Sequence, residues 1–330
     1  MGRRPHPRSR HANGGSDDAP PPRRPRAERS ARPPRSPRPP RAPRASRGGR
    51  NAKGSHTVLW LMLILAVAVG AGWALLQTTG GGSDPAPVIE DPGLATGDPI
   101  MRLTIPEGLR REDIAELIER ETELSGERYL ELTAPGARGR ALARAGGPTS
   151  LDGFLFPATY DLYEDTTVED LVDMQVDAFK ANTADIDFGP ARRKNLTPFE
   201  VLTIASMIER EVAVPAEREL VASVIYNRLR AGMSLGIDAT VQYAIGEWKP
   251  ELTLSDLDID SPYNTRKFMG LPPGPIANPG VDSIRAAARP KETDFLYYVA
   301  RNDGSGAHYF STNADTFEQD VQRARANGGQ

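Results

Sequence analysis

Two glutamates, Glu209 and Glu211, stand in the run ASMIEREVAVPAEREL, where they alternate with aliphatic side chains. On a helical wheel at about 100° per residue they flank an apolar stripe on opposite sides, and Glu211 lies close to the angle of Ile204. A carboxyl held against aliphatic groups loses hydration in its charged form, which raises its pKa and suits it to donate a proton. The wheel does not choose between the two glutamates. The alternative is a solvated helix face on which both pair with nearby arginines.

Other catalytic patterns are missing from the sequence, which contains no cysteine and no GxGxxG, GxxxxGK[ST], HExxH or GxSxG motif. The absence of cysteine excludes thiol chemistry and a Cys-ligated metal. Only one histidine, His308, lies beyond the N-terminal part, so a site built from several histidines is excluded. In its predicted strand His308 is expected to be a packed residue rather than a base. The sequence therefore implies no metal and no organic cofactor.

Three helices must position the carboxylates. Thr197 and Pro198 open the first helix, with an N-cap residue, a proline at the first helical position and an acid three residues after the cap. Its apolar stripe consists of Val201, Ile204, Ala205, Ile208 and Val212. The second helix follows Pro215 and stops at Gly232. Asp238 is expected to cap the third, ATVQYAIG.

The other segments mix strands with helices. MRLTIPEG, FLYYVA and HYFST are typical of strands, and the last two predict a hairpin. The spacing of apolar residues predicts helices in RREDIAELIERET, GERYLELT, SIRAAAR and TFEQDVQRARA. SPYNTRKFMGLPPGPIANPG, residues 261–280, is a long Pro/Gly-rich loop of the kind that forms binding surfaces. No βαβ repeat is present, so the predicted fold class is α+β.

Composition divides the chain into a basic N-terminal part and an acidic remainder, although the whole carries a formal net charge of only −3. The predicted parts are a disordered Arg/Pro-rich tail (1–56), a transmembrane helix (57–77), a Gly/Pro-rich linker (78–100), a small α/β subdomain (101–145) and a mixed α+β domain (146–330).

The run TVLWLMLILAVAVGAGWALL is uncharged and long enough, at roughly 30 Å as a helix, to cross a bilayer. Trp60 and Trp73 lie near its ends, where interfacial tryptophans are typical. It is too long for a signal peptide, so we predict a single-pass anchor in the inner (plasma) membrane. The basic tail is then cytoplasmic and the acidic part periplasmic or extracytoplasmic. The tail lacks aromatic residues for stacking on bases, so nucleic acid is not the expected partner.

Several long motifs agree in order with one protein family. LDGFLFPATY, ASMIEREVAVPAERELVASVIYNRLRAGMSLGIDATVQYAIG and SPYNTRKFMGLPPGPIANPGVDSIRAAARP resemble the signature of the MltG (YceG-like) endolytic murein transglycosylases, over residues 150–325. The resemblance implies that the second glutamate of the E-x-E pair, Glu211, is the catalytic acid. It also implies cleavage of the MurNAc–GlcNAc β-1,4 bond of nascent glycan strands without water, which leaves 1,6-anhydroMurNAc ends and terminates elongation.

The resemblance further implies a set of polar residues that bind the glycan, each of which also has a possible structural role. They are Glu217, Asn227, Asp238, Tyr263, Asn264 and Thr265. Aromatic residues in the 151–162 segment are expected to pack in the core rather than stack on sugars; they are Phe154, Phe156 and Tyr160. The chain departs from the family pattern at Asp152, Ala158 and Ala239. The LysM-like unit of the family is shortened here to 101–145.

The implied partners are peptidoglycan glycan strands, with peptidoglycan synthases nearby. Two alternatives stay open. A hydrolytic muramidase would need a second carboxylate near Glu211, for which Asp238 and Glu217 are the candidates. A membrane-anchored scaffold that binds glycan or cell-wall synthases would need no catalytic acid.

Overall fold

The computed structural model describes residues 98–136 and 150–328, together with the backbone of 88–89. The predicted tail at 1–56, the predicted transmembrane helix at 57–77 and most of the predicted linker at 78–100 lie outside these residues, as does the end of the predicted subdomain beyond 136. Within the described residues, no helix has the length and apolar character needed to cross a membrane.

The described elements mix helices and strands, as predicted. The strands are β1 (Val88–Ile89), β2 (Met101–Thr104), β3 (Thr159–Leu162), β4 (Tyr297–Ala300) and β5 (His308–Ser311). The helices are α1 (Arg111–Glu121), α2 (Gly126–Thr133), α3 (Val168–Thr183), α4 (Gly189–Arg192), α5 (Pro198–Glu211), α6 (Arg218–Ala231), α7 (Asp238–Ile245), α8 (Leu254–Leu257), α9 (Val281–Ala288) and α10 (Ala314–Gly328). The short helices α4 and α8 were not predicted.

A small sheet and three helices form the first core. β3 is the central strand, parallel to β1 and antiparallel to β2, with Met101 opposite Leu162. Apolar residues from β2, α1, α2, β3 and α3 bury against one another, including Leu103, Ile114 and Leu171. This core takes residues from both sides of the predicted boundary at 145/146, because β2 finds its hydrogen-bonding partner in β3.

The second core forms around α5, which is buried on almost all sides. The whole predicted stripe, Val201, Ile204, Ala205, Ile208 and Val212, is buried, and α6, α7 and α9 pack around it. The predicted start is confirmed: Thr197 Oγ1 accepts from the N–H of Glu200, and the Glu200 carboxylate accepts from the N–H of Thr197. α5 ends at Glu211, which places that carboxyl at the edge of the core.

The predicted hairpin is confirmed and lies beside the end of α5. β4 and β5 pair antiparallel, with Tyr298 opposite Phe310 and Ala300 opposite His308. α10 packs over the hairpin and buries Phe317 and Val321 between them. α6 ends as predicted, at Gly232, whose φ of 62° lies in the left-handed region that favours glycine. The hairpin thus presents the side chains of β4 and β5 to the ends of α5 and α6.

Candidate active site

Glu211 is the last residue of α5, and only 8% of its surface is exposed. Its Oε2 atom accepts a hydrogen bond of 2.9 Å from the hydroxyl of Tyr298 on β4. The alternative of a solvated carboxylate does not describe Glu211, because the side chain is buried and bonded to the hairpin. The C-terminal end of a helix also carries partial negative charge, which disfavours a second negative charge there.

The surroundings of Glu211 favour its protonated form. Burial is the largest influence and raises the pKa of the Glu211 carboxyl, and the negative charge of Asp238 raises it further. The hydrogen bond from Tyr298 acts in the opposite direction because it stabilises the carboxylate, but the net shift is upward. A carboxyl whose pKa is raised in this way keeps a proton closer to neutral pH, as a general acid requires.

Glu209 has a different environment from Glu211, although the two are separated by a single residue. Its Oε2 atom accepts a hydrogen bond of 3.1 Å from the N–H of Gly280, in the loop that precedes α9. The residue between them, Arg210, stacks on Trp248 at 3.8 Å and donates to the carbonyl of Gly108. The tertiary structure therefore separates the two glutamates that the helical wheel left equivalent.

Asp238 does not cap α7, contrary to the prediction. The N-cap residue is Ile237, and Asp238 is the first residue of the helix, without a capping hydrogen bond from its side chain. Its Oδ1 atom instead pairs with Nε of Arg266 at 2.5 Å, and both side chains are largely buried. Burial raises the pKa of Asp238, while Arg266 opposes the shift. Asp238 lies one residue past the N-cap position, and its carboxylate makes a charge-assisted hydrogen bond with the arginine.

Glu217 binds His308 rather than lying free to meet a sugar. Its two oxygens accept from the backbone N–H of His308 at 3.0 and 3.2 Å, and Oε2 lies 2.7 Å from Nδ1 of the ring. Both side chains are buried. His308 is thus a packed, hydrogen-bonded strand residue, as predicted. The pair links the start of α6 to the hairpin, and a contact between Glu217 and sugar stays a prediction.

Three further predicted sugar ligands have their polar atoms occupied inside the protein. Asn227 donates to the carbonyls of Thr293 and Phe295 at 2.8 and 2.9 Å. Asn264 has no exposed surface, and its amide donates to carbonyls in the 257–259 segment. Thr265 bonds to the N–H of Ile237 and to Thr240. These side chains hold the loops around the site through internal hydrogen bonds, and their direct contact with the glycan stays a prediction.

Tyr263, the remaining predicted ligand, is half-buried and packs on Tyr243 with ring centroids 4.7 Å apart. The hydroxyl of Tyr243 donates to Asp152 at 2.9 Å. Asp152, one of the positions at which the chain departs from the family pattern, therefore helps to hold this aromatic pair. The structure leaves Tyr263 able to offer part of its ring to a ligand. The aromatic residues of the 151–162 segment, Phe154, Phe156 and Tyr160, are buried in the cores, as expected.

Sequence reasoning missed Tyr298, Arg266 and Asn278. Tyr298 follows a second tyrosine in YYVA, and the strand pattern gives no sign of which ring faces Glu211. Arg266 directly follows the predicted ligands Tyr263, Asn264 and Thr265, and its charge next to these polar residues was the signal that could have identified it as a site residue. Asn278 precedes a proline in a loop, a common turn position, and this local pattern gives no sign of the three hydrogen bonds that its side chain makes. Among the described residues, no three His, Asp or Glu side chains are arranged to hold a metal ion.

Curated proteins of known name are similar in sequence to this chain. A curated endolytic murein transglycosylase of Bacillus subtilis (strain 168) is 44% identical over 156 residues, which are 47% of this chain and 43% of that protein. One of Streptococcus pneumoniae (strain ATCC BAA-255 / R6) is 34% identical over 267 residues, 73% of this chain and 46% of that protein. The chain thus spans about half the length of the curated relatives it matches.

The fold also has a counterpart among solved structures. The crystal structure of a putative yceG-like protein from Listeria monocytogenes superposes with a TM-score of 0.60 at 33% identity, covering 68% of this chain and 76% of that one. A sequence profile of the YceG-like family matches residues 88–323, which include both cores, the E-x-E helix and the hairpin. With more than half of its length matched, the chain belongs to the YceG-like family.

Proposed function

We propose that the protein is an endolytic peptidoglycan lytic transglycosylase with Glu211 as its catalytic acid. The observation that carries the proposal is the position of Glu211: a buried carboxyl with a raised pKa, at the edge of the core of a YceG-like fold. The names of the curated relatives, endolytic murein transglycosylase, support the same activity. The substrate is the glycan strand of peptidoglycan, cut internally while it is still growing.

The reaction needs only one protein carboxyl. Protonated Glu211 gives its proton to the oxygen that bridges MurNAc and GlcNAc, and the bond from this oxygen to the anomeric carbon of MurNAc breaks. The 6-hydroxyl of the same MurNAc then attacks the anomeric carbon and returns its proton to the Glu211 carboxylate. The products are a 1,6-anhydroMurNAc end and a free GlcNAc 4-hydroxyl, and no water enters.

A hydrolytic muramidase is the second candidate because Asp238 lies near enough to influence Glu211 electrostatically. Glycosidases that use water employ such a second carboxylate as base or nucleophile. Asp238 is a weak candidate for either role because its Oδ1 is held by Arg266. Glu217 is weaker still, since both of its oxygens are bonded to His308.

The membrane placement belongs to the same proposal. The uncharged run at 57–76 and the basic residues before it support a single-pass anchor in the inner membrane, with a cytoplasmic N-terminus. The catalytic part then lies on the extracytoplasmic side, where nascent glycan and the peptidoglycan synthases are found. We further propose that the region around 101–145 corresponds to a shortened LysM-like unit.

The test is digestion of purified murein by the full-length chain, with mass spectrometry of the fragments. We expect 1,6-anhydro ends from the wild type and none from Glu211→Gln, which keeps the size of the side chain but has no acidic proton to transfer. Glu209→Gln is the matched control on the same helix and should retain activity. The side chain of Glu209 only accepts a hydrogen bond from the N–H of Gly280, and the amide oxygen of glutamine can accept it as well.

Each alternative predicts a different result in this assay. Reducing ends in place of anhydro ends would identify a hydrolase. A scaffold without catalysis would release no fragments, and Glu211→Gln would then support cell-wall growth as well as the wild type does.

A further inference from the structure

We propose that Tyr298 is a positioning residue for Glu211: its hydroxyl holds one carboxyl oxygen, so that the other carries the transferred proton, and the Glu217–His308 pair holds this tyrosine in place. The inference rests on the proposed function and extends it to a residue of the hairpin. It starts from one contact, the 2.9 Å hydrogen bond from the Tyr298 hydroxyl to Oε2 of Glu211.

The hydroxyl of Tyr298 acts as a donor throughout the reaction. Burial, followed by the nearby Glu211 charge, raises the pKa of Tyr298 well above its ordinary value, so the phenol keeps its proton. A hydroxyl that donates to Oε2 leaves Oε1 as the oxygen that carries the proton of neutral Glu211. The protein therefore determines which oxygen of Glu211 donates the proton before the substrate binds.

A second layer of contacts braces Tyr298. Its ring meets the imidazole of His308 edge-on, with centroids 5.4 Å apart and an interplanar angle of 87°. His308 is tied through its backbone N–H and Nδ1 to Glu217. Phe310, opposite Tyr298 in the strand register, packs at 6.1 Å. The two buried glutamates of the 205–220 run, Glu211 and Glu217, are thereby joined through the hairpin.

The hydrogen bond strengthens when Glu211 loses its proton, because a charged acceptor binds a donor more tightly than a neutral one. Tyr298 therefore stabilises the carboxylate that forms as the bridging oxygen is protonated and the glycosidic bond breaks. The tyrosine gives up no proton in either step. After the MurNAc 6-hydroxyl closes the anhydro ring, its proton returns to Glu211 and the original hydrogen bond remains.

The effect of Tyr298 on the pKa of Glu211 can be measured from the pH dependence of the reaction. Charged or titratable groups from several elements interact with Glu211: Asp238 on α7, Arg266 in the 261–280 loop, Arg228 on α6, Tyr298 and His308 on the hairpin, and Arg210 beside it on α5. Of these, Asp238 favours the neutral acid and the Tyr298 hydrogen bond favours the carboxylate. Removal of the Tyr298 hydroxyl should therefore raise the pKa of Glu211, and activity that requires the protonated acid should persist to higher pH.

The experiment compares Tyr298→Phe with Tyr226→Phe in the full-length chain. Tyr226 is a matched control because its hydroxyl also makes one hydrogen bond, of 2.7 Å, but to the backbone carbonyl of Ala287. The rate of 1,6-anhydro end formation at saturating murein is measured across the pH range. We expect Tyr298→Phe to lower turnover roughly 10- to 100-fold and to move the alkaline limb to higher pH. Tyr226→Phe should leave the limb in place.

A second substitution tests the same hydrogen bond with little change in the shape of the side chain. Incorporation of 3-fluorotyrosine at position 298 preserves the ring and hydroxyl but makes the phenol a stronger donor, so the alkaline limb should move to lower pH. If the alkaline limb of the pH profile is unchanged in both Tyr298→Phe and the 3-fluorotyrosine protein while the wild type is active, the role of Tyr298 is overturned and the proposed function stands. If the wild type itself forms no anhydro ends, both proposals fail together.

Discussion

Asn278 should be among the residues on which stability depends most, although it touches no substrate group. Its Oδ1 atom accepts from the N–H groups of Gly153 and Leu155 at 2.7 and 3.1 Å. Its Nδ2 atom donates to the carbonyl of Leu109 at 2.9 Å. The side chain thus joins the loop before α9 to two segments of the first core, and the same loop contacts α5 through Ser206.

The cost of Asn278→Ala follows from the groups it would leave unpaired. Gly153 and Leu155 are buried, and each would lose its hydrogen-bond acceptor. A buried donor without a partner costs about 1–3 kcal/mol, so two of them predict a loss of about 4 kcal/mol in the free energy of unfolding. The carbonyl of Leu109 keeps a partner, because the backbone N–H of Asn278 also donates to it at 2.9 Å. A loss of this size is a large fraction of the stability of a typical domain.

Urea unfolding of the full-length chain, followed by circular dichroism, measures this loss. Asn278→Asp is the informative companion at acidic pH, where its protonated carboxyl keeps an acceptor for both N–H groups without burying a charge, and there we expect it to lose about half as much as Asn278→Ala. Asn182→Ala is the surface control: its amide donates to the carbonyl of Ala178 on a helix face, and its loss should stay within about 0.5 kcal/mol. If Asn278→Ala unfolded at the same urea concentration as Asn182→Ala, the hydrogen-bond argument would be wrong.

Two further predictions concern Glu107 and Asn227. Burial and the charge of Glu209 raise the pKa of Glu107 from 4.5 to about 7, so stability should fall as pH rises between these values, because only the unfolded state releases the proton there. Glu107 is exposed at the surface, so solvent screens much of this effect, and Glu107→Gln should gain only about 1 kcal/mol above pH 7 and nothing at the acidic end; equal urea midpoints at all pH values would contradict this. Asn227→Ala leaves two carbonyls without their hydrogen-bond donor, so it should lower the free energy of unfolding by about 2 kcal/mol without changing KM for murein. A raised KM at unchanged stability would instead indicate that Asn227 contacts the sugar.

The local structure around Glu211 could be predicted from the sequence. The capping box at Thr197 and the apolar stripe define α5 because both arise from contacts within one or two helical turns. The hairpin was predicted in the same way, from two short apolar strands around a Gly-containing loop. Motif resemblance then singled out Glu211 within the E-x-E pair, a choice that the wheel alone could not make.

The partners of each polar side chain were decided only by the tertiary structure. Tyr298 lies 87 positions from Glu211, and Arg266 lies 28 positions from Asp238, so no local periodicity connects either pair. Asp238 pairs with Arg266 instead of capping α7, because a buried polar group must find a partner wherever the folded chain supplies one. The sequence by itself determined the helix that carries the acid and the side of it that is apolar. The fold decided which carboxylate is buried, what holds it and how strongly it keeps its proton, because burial and hydrogen bonding depend on elements that are distant in the chain and meet only in three dimensions.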